Sequence, residues 1–498
     1  MDKPNNLLET ALAHARRLSG VHLYAGKLQA PLSGKTFPVA SPATRQQIGT
    51  AADGDAQDVA AAVGAAAGAQ ADWAAMSPRA RGKILQKAAA QLTQHTEEIA
   101  TLLALETGKA IRTESRVEAN VLADCFEFYG GLGSELKGET IPFAPNMLVF
   151  TQREPIGVVA AILPWNAPLM LMAFKIAPAL VAGNTVVVKS AEEAPLSTLF
   201  VVDLLNRSLP PGVVNILSGF GPSCGGPLVA DRRVGKVTFT GSVDTGKIIA
   251  HAAADRLIPT TLELGGKSPM IVMDDADLDR TVAGAVAGMR FTRQGQSCTA
   301  ASRMLVHRSV REEFVARMAD KVNAMRMGDP LDEATDIGTI ISTGQFDRVH
   351  SYLELGKRIP HVETLQLSKM PEAPELKDGL FVQPTVFVGV SNEDRLAREE
   401  IFGPVTCVIP FDDYEQAIAM ANDSDYGLAA TIWTRNLQRA LDATQRLQAG
   451  FVQVNQNIVA QPGLSYGGIK QSGLGKEASM EAMLDHFTQK KTILISRD

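Results

Sequence analysis

The sequence predicts an α/β protein with more than one domain, on three observations. The chain has 498 residues, more than one hydrophobic core serves. From Gly157 to Leu264 short β-branched runs alternate with helical stretches, the pattern of a parallel sheet covered on both faces. From about residue 270 a second alternating pattern begins, so a second α/β domain is expected.

The elements follow in order. Residues 1–50 are rich in turn formers (Pro31, Gly34, Pro38, Pro42) and are expected to form an irregular arm with short strands. Residues 55–75 and 79–107 place apolar side chains such as Ile84, Ala88, Leu92, Ile99 and Leu103 at helical spacing. Gly108 stops that run, and a further helix is expected over about 112–134. Residues 136–155 change character and suggest a strand pair. In the first alternating region the expected strands are Gly157–Leu163, Thr185–Lys189, Val214–Leu217, Lys236–Thr240 and Thr260–Leu264, separated by four helices. In the second, helices are expected near 277–290, 309–326, 412–421 and 436–448, with strands near 303–307, 384–388, 405–410, 428–433 and 451–454. The tail contains an apolar strand around Thr492–Ile495, expected to be paired within the chain or with another subunit, since a free edge invites aggregation.

Composition narrows the function. The hydrophobic fraction is 45%, the charged fraction 20% and the net charge −6, so a soluble globular protein fits better than a nucleic-acid binder. No apolar run reaches membrane-spanning length; Ile156–Leu163 is stopped by Pro164. No leader peptide is expected. The four cysteines are widely spaced, with no CxxC, and the eight histidines form no metal-ligand pattern. A reducing cytoplasmic setting and no metal are expected.

Five stretches carry chemistry. Cys298 lies in Gly295-Gln-Ser-Cys298, among small and polar neighbours that suit a nucleophilic thiolate; an inert loop cysteine is the alternative. Glu263 ends a strand and precedes Gly265-Gly266, where partial burial would raise it toward a general base; a structural carboxylate is the alternative. Asn166, between prolines in Pro164-Trp-Asn-Ala-Pro168, can donate to an oxyanion or serve its own turn. Lys189 and Glu192 follow a strand and suit a ribose, the carboxylate favouring NAD over NADP; a surface ion pair is the alternative. Gly241, Ser242 and Gly246 sit at a strand-to-helix junction that can receive a phosphate or simply cap the helix.

Taken together in order, Pro164-Trp-Asn166, Phe239-Thr-Gly-Ser242, Leu262-Glu-Leu-Gly-Gly266, Gly295-Gln-Ser-Cys298 and Glu399-Glu-Ile-Phe-Gly-Pro404 resemble the NAD(P)-dependent aldehyde dehydrogenase superfamily. The 35-residue separation of Glu263 and Cys298 fits as well. The resemblance implies a Rossmann-like cofactor domain (1–135 and 157–263), a catalytic domain (264–475) and a small β oligomerisation arm (136–156 and 476–498). It implies Cys298 as nucleophile, Glu263 as base and Asn166 as oxyanion donor. It further implies Lys189 and Glu192 at the adenosine ribose, Gly241, Ser242 and Gly246 at the pyrophosphate, and Glu400, Phe402 and Trp165 near the nicotinamide riboside. The partners implied are NAD, with NADP possible, an aldehyde, and copies of the chain in a dimer or tetramer. Ala167 stands where the family often has phenylalanine, which would widen the substrate tunnel. Met170, Met172, Phe174, Phe291 and the 455–466 region are its expected lining and suit an apolar or aromatic aldehyde. A CoA-acylating semialdehyde dehydrogenase and a non-catalytic binding protein are the competing readings.

Overall fold

The computed structural model describes residues 3–458 and 460–497. Its first sheet has eight strands in the order 27–29, 22–24, 214–217, 185–189, 158–162, 234–240, 260–263 and 473–474. The five from 214–217 to 260–263 run parallel. The strand Val158–Ile162 stands at the centre and is wholly buried, as a run of β-branched and small residues between two helical layers must be. The connections leave it in opposite directions. One series goes to 185–189 and 214–217, the other to 234–240 and 260–263. A crevice therefore opens beyond the ends of 158–162 and 234–240, where open α/β sheets bind ligands.

The second sheet has seven strands, in the order 363–366, 385–388, 405–411, 303–307, 269–272, 429–433 and 451–454. All neighbours are parallel except the outermost pair, 363–366 with 385–388. A third, antiparallel sheet joins 140–141, 147–155 and 488–496. The tail strand is paired within its own chain, from Thr488 opposite Pro155 to Ser496 opposite Met147.

Several expectations need correction. Residues 1–50 do not begin as an irregular arm: Lys3–Arg17 is a helix, which buries Ala11 and Ala15 against the first domain. Its apolar positions recur at helical spacing, and the turn formers that suggested irregularity begin only at Pro31. The strand Pro269–Val272, in the middle of the second sheet, was not anticipated. Proline is tolerated there because it is the first residue of the strand. The helix Thr343–Lys357 was also missed, although Ser342 caps it and Val349, Tyr352, Leu353 and Gly356 are buried at helical spacing. Finally, Gly473–Leu474, expected in the second domain, pairs antiparallel with Leu262–Glu263 and forms the last strand of the first sheet.

Gly108 ends the Thr96–Thr107 helix in the left-handed conformation, as anticipated, with φ 73°. Its carbonyl accepts the Thr339 N–H at 2.9 Å, so this turn also binds the segment leading into the second sheet. An added Cβ would lie 1.8 Å from Thr339 Oγ1. Gly108→Ala is expected to destabilise the protein by about 2 kcal/mol or more through backbone strain and this clash. Denaturant unfolding beside the wild type measures it, and an unchanged midpoint would contradict the role given to this turn.

Candidate functional site

The crevice at the strand ends is a cleft of about 440 Å³. Pro164, Trp165 and Asn166 enter it from the end of Val158–Ile162, and Thr240 to Asp244 from the end of Val234–Thr240. Gly265, Cys298, Gln345, Arg348, Glu400 and Phe402 face them from the second lobe. The structure thus gathers Trp165, Asn166, Gly241, Ser242, Cys298, Glu400 and Phe402 around one space. Lys189 and Glu192 lie outside this lining. They pair with each other at 3.1 Å beyond the neighbouring strand Thr185–Lys189, with Lys189 buried and Glu192 half-buried.

Cys298 is held in a tight loop. The Arg290 carbonyl accepts the N–H of Arg293 (2.9 Å) and of Gly295 (2.8 Å), and the Ala301 N–H returns to the Gly288 carbonyl at 3.0 Å. Gly295 has φ 62°, and an added Cβ would lie 2.0 Å from the Gly403 carbonyl oxygen, so only glycine lets the cysteine loop meet the 400–404 segment. The Cys298 Sγ lies 3.2 Å from the Tyr466 hydroxyl. Burial pushes the thiol up to about 11, against the opposing hydrogen bond of Tyr466; Glu400 and Glu263 push the same way as burial, and Arg293 opposes them.

Asn166 is buried, and its Nδ2 donates to the Gln296 carbonyl at 3.1 Å, bringing the amide against the cysteine loop. Its own carbonyl accepts from Lys109 Nζ at 3.1 Å. Lys109 is ion-paired with Glu118, whose Oε1 accepts the N–H of Leu169 at 2.8 Å and caps the Pro168–Ala182 helix. Two buried charges thus fix the turn that carries Asn166.

Glu263 ends its strand deep in the protein, only 2% exposed, and neither carboxyl oxygen has a hydrogen-bond partner among the described residues. Burial raises its carboxyl well above the ordinary range, and the charge of Glu477 adds to this while Lys175 and Lys476 oppose it. The expected partial burial is therefore exceeded. Glu477 is ion-paired with Lys175 at 2.6 Å, both side chains fully buried, and accepts from Thr238 Oγ1 at 3.0 Å.

Glu400 accepts the Gly266 N–H at 2.9 Å, and burial raises its carboxyl to about 7 against that hydrogen bond. An added Cβ on Gly265 would lie 2.2 Å from Glu400, which explains the glycine pair after Glu263. Phe402 has φ 60°, and its ring meets that of Trp165 edge to face at 5.2 Å. Gln345 donates to the carbonyls of Ile401 (3.2 Å) and Phe402 (2.8 Å), and Arg348 to that of Glu400 (2.6 Å). Both side chains come from the unanticipated helix Thr343–Lys357.

Ser242 caps Val243–Ala254, its Oγ accepting the Thr245 N–H at 3.3 Å, and lines the cleft as well. Gly246 is buried one turn on, where an added Cβ would lie 2.6 Å from Leu264. The residues suit a dinucleotide: the start of a twelve-residue helix, glycines at 241 and 265 where the wall must be thin, and a Thr240 hydroxyl buried without a partner among the described residues.

The expected tunnel lining is only partly realised. Met172, Phe174 and Phe291 are fully buried core residues, Phe291 in a different cluster from the other two. Met170 and Ala460 belong to the first domain's core; from the 455–466 region Tyr466 meets the thiol, with the Phe451 ring 6.0 Å from that of Tyr466. Sequence reasoning singled out neither Tyr466 nor Lys109, Glu118, Lys175, Glu477, Gln345 and Arg348.

The buried thiol sets a pH dependence. Its raised pKa means the reactive thiolate grows as pH rises, so alkylation of Cys298 in cofactor-free protein is expected to climb about tenfold per pH unit between pH 7 and 10. Peptide mapping separates it from Cys125, Cys224 and Cys407; a plateau already reached at neutral pH would contradict this environment.

The comparisons with known proteins agree with one another. The aldehyde dehydrogenase family profile matches residues 30–493. The chain is 40% identical to a betaine aldehyde dehydrogenase of Sinorhizobium fredii over 476 residues, covering 95% of this chain and 96% of that protein. It is similar to the NAD+ complex of an aldehyde dehydrogenase from Bacillus cereus, with a TM-score of 0.94, 36% identity and 98% coverage of both chains. It is likewise similar to HpcC of Thermus thermophilus, with a TM-score of 0.94 and 38% identity, over 99% of this chain and 96% of that one. The chain belongs to the aldehyde dehydrogenase family.

Proposed function

We propose that the chain oxidises an apolar or aromatic aldehyde to a carboxylic acid with NAD, through a covalent intermediate on Cys298. The observation that carries this reading is the cleft at the strand ends, where the Cys298 thiol meets the Tyr466 hydroxyl at 3.2 Å, with Asn166 against its loop. The thiol gives its proton to solvent, and the thiolate attacks the aldehyde carbon. The Asn166 amide and the Cys298 N–H donate to the alkoxide that forms, and the Tyr466 hydroxyl stabilises the thiolate beforehand. NAD held in the cleft would supply the hydride acceptor for that carbon, and Cys298 would then carry the thioester. Glu263, in its carboxylate form, takes a proton from water, the hydroxide adds to the thioester, and the thiolate leaves as the acid departs. A carboxylate held out of water is a stronger base than a solvated one, and that is what the burial of Glu263 supplies. This base favours water over a thiol such as coenzyme A as the acyl acceptor.

Lys189 and Glu192 hold the adenosine ribose on this reading, and the Glu192 carboxylate disfavours a 2′-phosphate. Gly241, Ser242 and Gly246 receive the pyrophosphate. Glu400 and Phe402 orient the nicotinamide riboside, with Trp165 supporting the ring. The rings of Tyr466 and Phe451 near the thiol support an apolar or aromatic substrate. A free thiol suits a reducing cytoplasm. The three-stranded sheet formed with the tail, as the oligomerisation arm, would join copies of the chain into a dimer or tetramer.

Reduced nicotinamide is expected to form from an aldehyde and NAD without coenzyme A, and less efficiently with NADP. Cys298→Ala is expected to abolish it. Glu263→Gln is expected to give one burst per site followed by steady turnover slowed about 10²–10⁴-fold. A wild-type steady rate in Glu263→Gln would remove that residue from the hydrolytic step.

A further inference from the structure

The loop that carries Cys298 holds one more positive charge than its carboxylates neutralise. Arg293 is buried and matched: its Nε and Nη2 lie 2.8 and 2.6 Å from Glu114 Oε2, and Thr292 Oγ1 donates to Glu114 Oε1 at 2.5 Å. Lys109 is matched by Glu118. Arg290 has no such partner. Its Nε is buried, and among the described residues the guanidinium makes no hydrogen bond and no ion pair. It feels the Glu114 charge, but both oxygens of that carboxylate are already engaged.

Arg290 also sits at the reacting centre. The loop closes on itself through the Arg290 carbonyl and the Gly288–Ala301 hydrogen bond, so residue 290 stands at the base of the loop that carries Cys298. Its charge acts on Cys298 and on Tyr466, the residue whose hydroxyl meets the thiol. It is not part of the lining of the cofactor cleft. Burial of the unpaired cation is unfavourable enough to lower its pKa to about 10. The backbone here is left-handed, with φ 57°, a conformation that long side chains seldom adopt and that persists where the surroundings impose it.

We propose that Arg290 pairs with a carboxylate carried by the aldehyde, so that the preferred substrate is an oxo acid whose apolar or aromatic body lies between Cys298 and Arg290. This deepens the dehydrogenase reading above and rests on it. A planar guanidinium receives a carboxylate through two parallel hydrogen bonds, and a desolvated one gains more from doing so than a solvated one. The same charge repels a quaternary ammonium group, so an aldehyde carrying one is disfavoured.

The test uses three aldehydes with NAD: 4-formylbenzoate, its methyl ester, and betaine aldehyde. Wild-type kcat/KM is expected to fall in that order, with the acid preferred over the ester by about 10²-fold. In Arg290→Gln the acid-to-ester ratio is expected to collapse toward one, and in Arg290→Lys to keep about a tenth of its value. The wild-type ratio is a test by itself should Arg290→Gln not fold. A wild type that prefers the ester or betaine aldehyde overturns the proposal. So does an Arg290→Gln enzyme that loses acid and ester activity equally, since the charge would then serve the thiolate. Reduction of NAD by none of a broad aldehyde panel would instead overturn the dehydrogenase reading, and this inference with it.

Discussion

The site depends on a pairing of two residues. Gly473 and Leu474 add to the edge of the first sheet opposite Glu263 and Leu262, and the Leu264 N–H reaches the Ser472 carbonyl at 2.9 Å. This clamp sets a hairpin of the late chain against the strand that carries Glu263. The hairpin is closed by reciprocal hydrogen bonds between Tyr466 and Glu477 at 3.0 and 2.7 Å. One end therefore delivers a hydroxyl to the Cys298 thiol, and the other a buried carboxylate beside Glu263. Gly467 completes the fit, since a Cβ there would lie 2.5 Å from the Glu263 carboxyl.

Electrostatics around the cleft follow from how its charges are matched. Lys175 with Glu477, Lys109 with Glu118, and Arg293 with Glu114 are buried pairs. Such pairs contribute little net stability but are costly to break, about 3–5 kcal/mol when one partner is removed. They act here as positional constraints: one anchors the hairpin, one the Asn166 turn and one the cysteine loop. Glu263 is left without a matching cation in contact, and its proton affinity rises accordingly.

What could be read from the sequence is what is local. Cys298, Glu263 and Asn166 announce themselves because each lies at the end of a strand or in a glycine- or proline-bounded turn, and the alternating pattern predicts the strands that place them. The Gly241–Ser242 junction was legible for the same reason. Tyr466 was not, since its role is a contact with a residue 168 positions away, nor was Lys175, whose partner is 302 positions away. Neither distance leaves a periodic trace. Gln345 and Arg348 were lost with their helix, whose polar surface obscured a buried stripe of four residues. The Lys3–Arg17 helix was masked by the prolines that follow it, and Pro269–Val272 by a proline that begins a strand.

The late position of the hairpin bears on the chain during its synthesis. The cysteine loop and Glu263 emerge well before Tyr466 and Glu477, and the first sheet lacks its last strand until residue 474 has appeared. A growing chain can thus present most of both lobes while its Cys298 thiol still lacks the Tyr466 hydroxyl as a partner. A product truncated before residue 466 therefore carries Cys298 without its Tyr466 contact and the first sheet without its edge strand 473–474.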